Sequence, residues 1–395
     1  MPQYFLAYVL TIGPSLSCLR QAAIVPLPQS GDFVLRFRAT ALLAFCVCLG
    51  TCLGGVMTPA FAEQASLPDP AITPDGGFLT LEVENDLFAK LANTDRHYTN
   101  GMKMSWLSAP TSDLPGWLKT LSAPPLFSLF TNDENITGVS HRVGISISQL
   151  IFTPDNTDLS TPILNDRPYA GWLHSTFSLE SVRTNDLGEA WQDQWNLDLG
   201  VVGPAAHGEQ VQNSWHKFIN VGQANGWNHQ LKNEPGVNLR FERAWRSNLL
   251  QTPRLLGFST DIIPFGTVSL GNVATFAGVG GIFRIGPTLP DDFGPPRIYP
   301  SSGGSEWFHT STGLDWYLFA GLEARAVARD IFLDGNSFRD SQSINKKPVV
   351  GDAKLGAVVV LGSARLSFTH DFRSREYDGQ PKIDQFGSIS LGFAL

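Results

Sequence analysis

The chain has 395 residues, of which 16% are charged, with a formal net charge of −8. An acidic chain lacks the basic surface that nucleic-acid binding needs, and 43% hydrophobic residues exclude the low-hydrophobicity signature of disorder. The charged share lies well below the ~25% of ordinary soluble domains, which argues against a string of such domains despite the length.

Residues 1–33 carry no structural pattern. Arg36 and Arg38 then precede an uncharged apolar run, Ala39 to Val56, and Ala60-Phe61-Ala62 closes it with small residues. Positive region, apolar core and small-residue exit describe a secretory signal peptide, with cleavage expected after Ala62. A transmembrane anchor or a lipoprotein site at Cys52 fits less well. The run is Gly-broken and has no stop-transfer charges, and Gly50-Thr51 suits lipoprotein processing poorly. The reading divides the chain into an N-terminal extension with signal peptide, 1–62, and one exported domain, 63–395. All four cysteines (Cys18, Cys46, Cys48, Cys52) lie in the first part. An exported domain without cysteine suggests the Gram-negative envelope rather than a disulfide-stapled extracellular module.

After Ala62 no apolar stretch reaches the ~18 residues of a helical membrane span. The chain shows period-two alternation instead. Leu79, Leu81 and Val83 alternate with Thr80, Glu82 and Glu84; Met102, Met104 and Trp106 with Lys103 and Ser105; Val143, Ile145 and Ile147 with Gly144 and Ser146. The pattern recurs at 195–201, 237–242 and near 171–182, 257–270, 275–286, 314–328, 353–362, 364–372 and 384–395. About a dozen strands of roughly membrane-spanning length predict an all-β, transmembrane antiparallel barrel in the outer membrane. A soluble β-sandwich shares the alternation. The barrel is favoured by the Gly, Ser and charged residues on the inward-type positions, by the strand that ends the chain, and by Trp106, Trp172, Trp316 and Tyr317 near segment ends, as in an interfacial girdle. One segment departs from period two. Gly208 to Val221 places Val211, Trp215, Phe218 and Ile219 on one helical face, with Gly222 to end it, and so predicts a short amphipathic helix in a loop. Gln212 and His216, four apart, point to one side.

The polar stretches are Glu84-Asn85-Asp86, Asp95-Arg96-His97-Tyr98-Thr99-Asn100-Gly101, Asn165-Asp166-Arg167-Pro168-Tyr169-Ala170-Gly171-Trp172, and Gly203 through Gln212 and His216 to Glu234. No G-x-S-x-G elbow, H-E-x-x-H or phosphate loop occurs. Taken alone, Asn-Asp after a strand is a turn device, His216 is a packed or surface histidine, and Asp166 to Tyr169 form an ion pair and rigid turn.

Together these stretches resemble the outer-membrane lipid A 3'-O-deacylase family, over nearly the whole exported domain. The resemblance implies a twelve-stranded barrel with its active site near the outer rim, between the wall and a helix from an extracellular loop. It implies calcium-dependent ester hydrolysis of lipid A, the lipid anchor of lipopolysaccharide. His216 would be the general base, Gln212 its orienting partner, and Asp86 the Ca2+ ligand. Asn85 would support that site, and Thr99 would contact the ester oxygen or a bound water. The family's functional lysine in the loop after the third strand has no counterpart, because Thr153 to Leu164 contain no Lys. Arg167 or Lys217 would then make the phosphate contact. The rivals are a phospholipase using the same chemistry and a non-catalytic barrel or pore. A closed barrel leaves no free edge, so a monomer suffices.

Overall fold

The computed structural model of the chain describes residues 5–9, 21–25, 76–88, 97–122, 136–247, 250–255, 257–298 and 304–395. Phe5–Val9 and Gln21–Val25 pair as an antiparallel hairpin, where the sequence carried no pattern. The apolar core and cleavage site expected at 39–62 lie outside the described residues.

The described residues from 76 onward build one antiparallel sheet closed on itself. Its strands are β1 (Phe78–Asn85), β2 (His97–Leu107), β3 (Ile136–Thr153), β4 (Ala170–Asn185), β5 (Ala190–Val202), β6 (Glu234–Arg246), β7 (Phe258–Gly271), β8 (Ala274–Gly286), β9 (Leu314–Asp330), β10 (Val349–Leu361), β11 (Ala364–Arg373) and β12 (Asp384–Ala394). Each strand pairs with its sequence neighbour, and β12 returns to β1 in register from Gly387 opposite Asn85 to Ala394 opposite Phe78. Closure removes the sheet edges, the standard solution for a sheet in lipid. Thr252–Leu255 adds a short pairing to the start of β7. Several strands exceed the expected length, β3 reaching 18 residues, because they continue beyond the apolar band. Among the described residues, three α-helices lie outside the wall strands: α1 (Gly116–Ser122), α2 (Gly208–Ile219) and α3 (Ile331–Asp334).

Alternation sets the two faces. Leu81, Val83, Met104, Trp106, Ile145 and Ile147 are exposed on the outside, while Thr80, Glu82, Glu84, Ser105, Ser146 and Ser148 are buried inside. Two of the expected girdle aromatics belong to the inside. Trp172 stacks on His174 at 3.8 Å, and Tyr317 lies buried under Arg284. Their parity within β4 and β9 decides this, and nearness to a strand end does not.

The lumen holds protein. The segment between β8 and β9, described over 287–298 and 304–313, starts at the rim that bears the chain end and reaches into the barrel. Its Arg297 bonds Glu323 of β9 at 2.9 Å and Asp371 of β11 at 3.0 Å. The backbone N–H of Ile298 donates to Glu84 of β1 at 3.2 Å. Ser305 and Trp307 both donate to Gln192 of β5 at 3.0 Å, Glu306 pairs with Lys103 of β2, and Arg142 of β3 lies over the Trp307 ring. Further pairs, Arg284 with Asp261 and Asp292, and Arg373 with Asp352, compensate other buried charges, as burial demands. A plug bonded to strands around the wall argues against an open pore.

Candidate active site

The sequence places polar residues where outward-facing strand positions leave the apolar band. Along β1 the outward series Leu81, Val83 ends in Asn85. Along β3 the series Ile145, Ile147 continues as Gln149, Ile151, Thr153. On β2, Asn100 lies opposite Asn85, and the register shifts between Tyr98 and Asn100, so that Thr99 is the extra residue of a bulge. Thr99 bonds Thr153 hydroxyl to hydroxyl at 2.7 Å. Asn85, Asp86, Thr99, Gln149 and Thr153 are all buried, because loop structure covers this part of the outer wall.

Over β3 and β4 the cover is the β5–β6 connection. It opens with a 3-10 turn, Pro204–Ala206, continues into α2, and ends in a second turn, Trp227–His229. The helix docks on β3 and β4 through backbone. A Cβ on Gly208 would sit 2.7 Å from the Trp227 ring and 3.3 Å from Gly171 Cα, and one on Gly171 would meet Ala206 and Gly208 at 3.2 Å. Only glycine at both positions allows this approach. Gln149 Nε2 donates to Ala206 O at 2.6 Å and ties the same turn to the wall. Tyr169, Ile151, Ala224 and Trp227 form the apolar seat beneath, with Val211 packed against it.

The face that α2 turns to the wall is the stripe Gly208, Gln212 and His216. The apolar residues expected to share one face divide: Val211 packs against the apolar seat, while Trp215 and Phe218 are exposed. The helix ends at Asn220 in the left-handed conformation, φ 57°, and not at Gly222. Gly222 has another role. Its carbonyl accepts from His216 Nδ1 at 2.5 Å. A carbonyl can only accept, so Nδ1 carries the proton and Nε2 holds the lone pair of the neutral ring. Gln212 Oε1 accepts from Trp227 Nε1 at 2.9 Å, which fixes the amide so that its Nε2 is the outstanding donor, and that atom is buried without a partner. Asn213 clamps the chain after the helix by bonding Ala224 in both directions, at 2.9 and 3.3 Å.

The remaining motif residues are bracing. His97, at φ 63°, is enclosed. Its Nδ1 meets Asp384 Oδ1 at 2.5 Å and its Nε2 meets the Tyr377 hydroxyl at 2.7 Å. Tyr377 in turn donates to Asp166 Oδ1 at 2.5 Å. Burial and the Asp166 carboxylate push the Tyr377 phenol well above its usual range, so it stays a donor. Asp166 also accepts from the backbone N–H of Asp155 and Arg167, each at 2.7 Å. Arg167, expected at a phosphate, is fully enclosed instead. It pairs with Glu376 at 3.2 Å and lies 4.8 Å from the Phe152 ring. Lys217 is exposed on α2. Glu234 accepts from Asn272, Asn336 and Ser337 and so braces the loop after β9 and not the helix. Asp95 and Arg96 lie outside the described residues.

Sequence reasoning missed Gln149, Thr153 and Asn100. All three were visible as polar residues at outward parity in an otherwise apolar series. Asn100 Oδ1 and Gln149 Oε1 are buried without partners, so this wall offers oxygen acceptors that protein donors do not fill.

No group of three His, Cys, Asp or Glu suited to a metal occurs among the described residues. Asp86, Asn85, Asn100 and Thr99 lie at neighbouring positions of β1 and β2 and carry carboxylate, amide and hydroxyl oxygens, the donor type that suits a hard cation such as Ca2+. In donor chemistry the residues fit.

Among curated proteins none matches the chain. Among solved structures, LpxR from Salmonella typhimurium matches with a TM-score of 0.62 at 19% identity, covering 80% of this chain and 100% of that one. That likeness shows the barrel fold. The β-domain of the Bordetella autotransporter BrkA covers 81% of this chain and 100% of its own at 9% identity, but superposes far less well, with a TM-score of 0.37. The family model described as "Outer membrane protein LpxR" matches residues 43–395. With closed barrel and family model in agreement, the chain belongs to the LpxR family of outer membrane proteins.

Proposed function

We propose that the protein is a lipid A deacylase of the outer membrane, a carboxylic ester hydrolase that releases the 3'-linked acyloxyacyl group of lipid A. The observation that carries this reading is the docked polar stripe of α2. A helix that turns His216 and Gln212, and not its aromatics, toward a polar patch of the outer wall is arranged for chemistry at the lipid boundary. The rim that bears α2 is the one opposite the chain end, the extracellular side in a barrel of this kind.

His216 Nε2 takes the proton from the water that attacks the ester carbonyl, and the Gly222 carbonyl holds the Nδ1 proton and steadies the imidazolium that forms; as the ester C–O bond breaks, the imidazolium returns its proton to the leaving sugar oxygen. Gln212, its carbonyl locked by Trp227, uses its Nε2 donor to orient the water or the ester oxygen. Thr99, paired to Thr153, presents a hydroxyl to the same wall. Ca2+, when bound at Asp86 with neighbouring Asn85, supplies polarisation of the ester carbonyl and charge stabilisation for the oxyanion. Lys217 contacts a phosphate of the glycolipid. No serine nucleophile is required, consistent with the missing elbow.

The test is incubation of lipid A with the purified protein in detergent, with calcium or with chelator, followed by mass spectrometry. Calcium-dependent loss of one acyloxyacyl unit supports the reading. Intact lipid A beside released fatty acid from glycerophospholipid would replace it with a phospholipase.

A further inference from the structure

Helix α2 has three sides. Gly208, Gln212 and His216 face the wall. At ~100° per residue, Gln210, Ser214 and Lys217 form the back, and all three are exposed. Between these lies a flank carrying Trp215, 44% exposed, and Phe218, 80% exposed. Their rings lie 5.6 Å apart. A soluble loop helix that docks on its protein buries its aromatics. This one docks through glycine and amide and leaves the aromatics out.

The surface next to this flank is already assigned. The helix sits against the outer wall at Gly171 and Gln149, and further along the same strands the outward residues are Ile145, Ile147 and Phe177, exposed as the lipid-facing band. The exposed aromatic flank thus belongs to a helix seated on the same strands whose outward residues meet acyl chains. Its composition, with aromatics on one side and Lys217 and amides on the other, is that of an interfacial helix lying in the plane of a membrane.

We propose that the Trp215–Phe218 flank of α2 lies in the acyl-chain layer of the outer leaflet and forms a membrane-inserted lip over the site, so that a lipid reaches His216 from the bilayer and not from the aqueous side. Partition of the flank is driven by apolar burial, and Lys217 on the back of the helix stays with the anionic headgroups. This placement rests on the barrel's membrane setting, and only its consequence for catalysis rests on the proposed hydrolysis.

The test uses cysteine labelling, since residues 63–395 contain no cysteine. Phe218→Cys and Ser214→Cys carry an environment-sensitive fluorophore, with the unsubstituted protein as blank, in vesicles of lipopolysaccharide and phospholipid. The Phe218 label is expected to be blue-shifted and quenched several-fold more by chain-nitroxide lipid than the Ser214 label, at every protein-to-lipid ratio. Equal quenching of both labels by aqueous iodide would overturn the proposal and place the flank in water. A Phe218 signal that follows protein density would overturn it in favour of contact with a second copy. As a second arm, Phe218→Glu should lower hydrolysis of ester presented in vesicles about tenfold and spare hydrolysis of ester in detergent. Equal loss in both would contradict the lip. If the unsubstituted protein hydrolyses neither, the proposed function fails while the labels still decide the position of the helix.

Discussion

The Trp227 indole N–H donates to Gln212 Oε1 at 2.9 Å, one helical turn before His216. Trp227 lies on the far side of the loop from the helix, so this bond closes the β5–β6 connection on itself and sets the side of Gln212 that carries a donor. Trp227→Phe removes that donor and keeps an aromatic ring in the seat. Losing the partner of a buried acceptor costs about 1–3 kcal/mol. We expect a roughly tenfold lower kcat with KM little changed and the barrel intact, read as the shift of the folded band on unheated gels. An unchanged kcat would detach Gln212 from the chemistry.

His216→Ala removes the base. General-base contributions are typically about 10²–10⁴-fold, and a loss of that size is expected with unchanged heat-modifiability. His216→Gln keeps a donor for the Gly222 carbonyl without a base and should be equally inactive. Substantial activity in the Gln variant would mean that the histidine only positions the loop.

Asp86→Asn is expected to abolish activity and to remove saturable calcium binding in equilibrium dialysis, while chelation of the unsubstituted protein reproduces the loss and added calcium restores it. Activity unaffected by chelator would exclude calcium from the account.

The two cations considered for the phosphate contact separate cleanly. Arg167 is buried against Glu376, and removing one partner of a buried pair costs about 3–5 kcal/mol. Arg167→Ala should therefore lower the urea midpoint of unfolding. Lys217→Ala, on an exposed side chain, should leave that midpoint unchanged and raise KM for phosphorylated lipid A several-fold relative to the dephosphorylated lipid. The reverse pattern would return Arg167 to the substrate.

Much of this was legible in the sequence because a barrel in lipid writes its faces into alternate residues. β1 reads in and out from Thr80 to Val83, and the same parity carries β2 and β3. What the pattern could not show was where contacts join distant segments. The plug, described over 287–298 and 304–313, has no periodicity, and its partners Glu323, Asp371 and Gln192 sit on strands far along the chain. The bracing role of Arg167 depends on Glu376, more than two hundred residues later. The docked side of α2 was misleading for a physical reason. In water the apolar flank would turn inward, but beside a membrane it has a second apolar phase to face, so a helical pattern alone does not say which stripe meets the wall.

The most direct test of the central claim is mass spectrometry of lipid A from cells expressing the protein or its His216→Ala variant at matched levels of folded barrel. The account predicts lipid A shortened by the mass of one acyloxyacyl unit with the unsubstituted protein and unmodified lipid A with the variant. Unmodified lipid A in both, with folded protein and calcium present, or the same shortening in both, would contradict it.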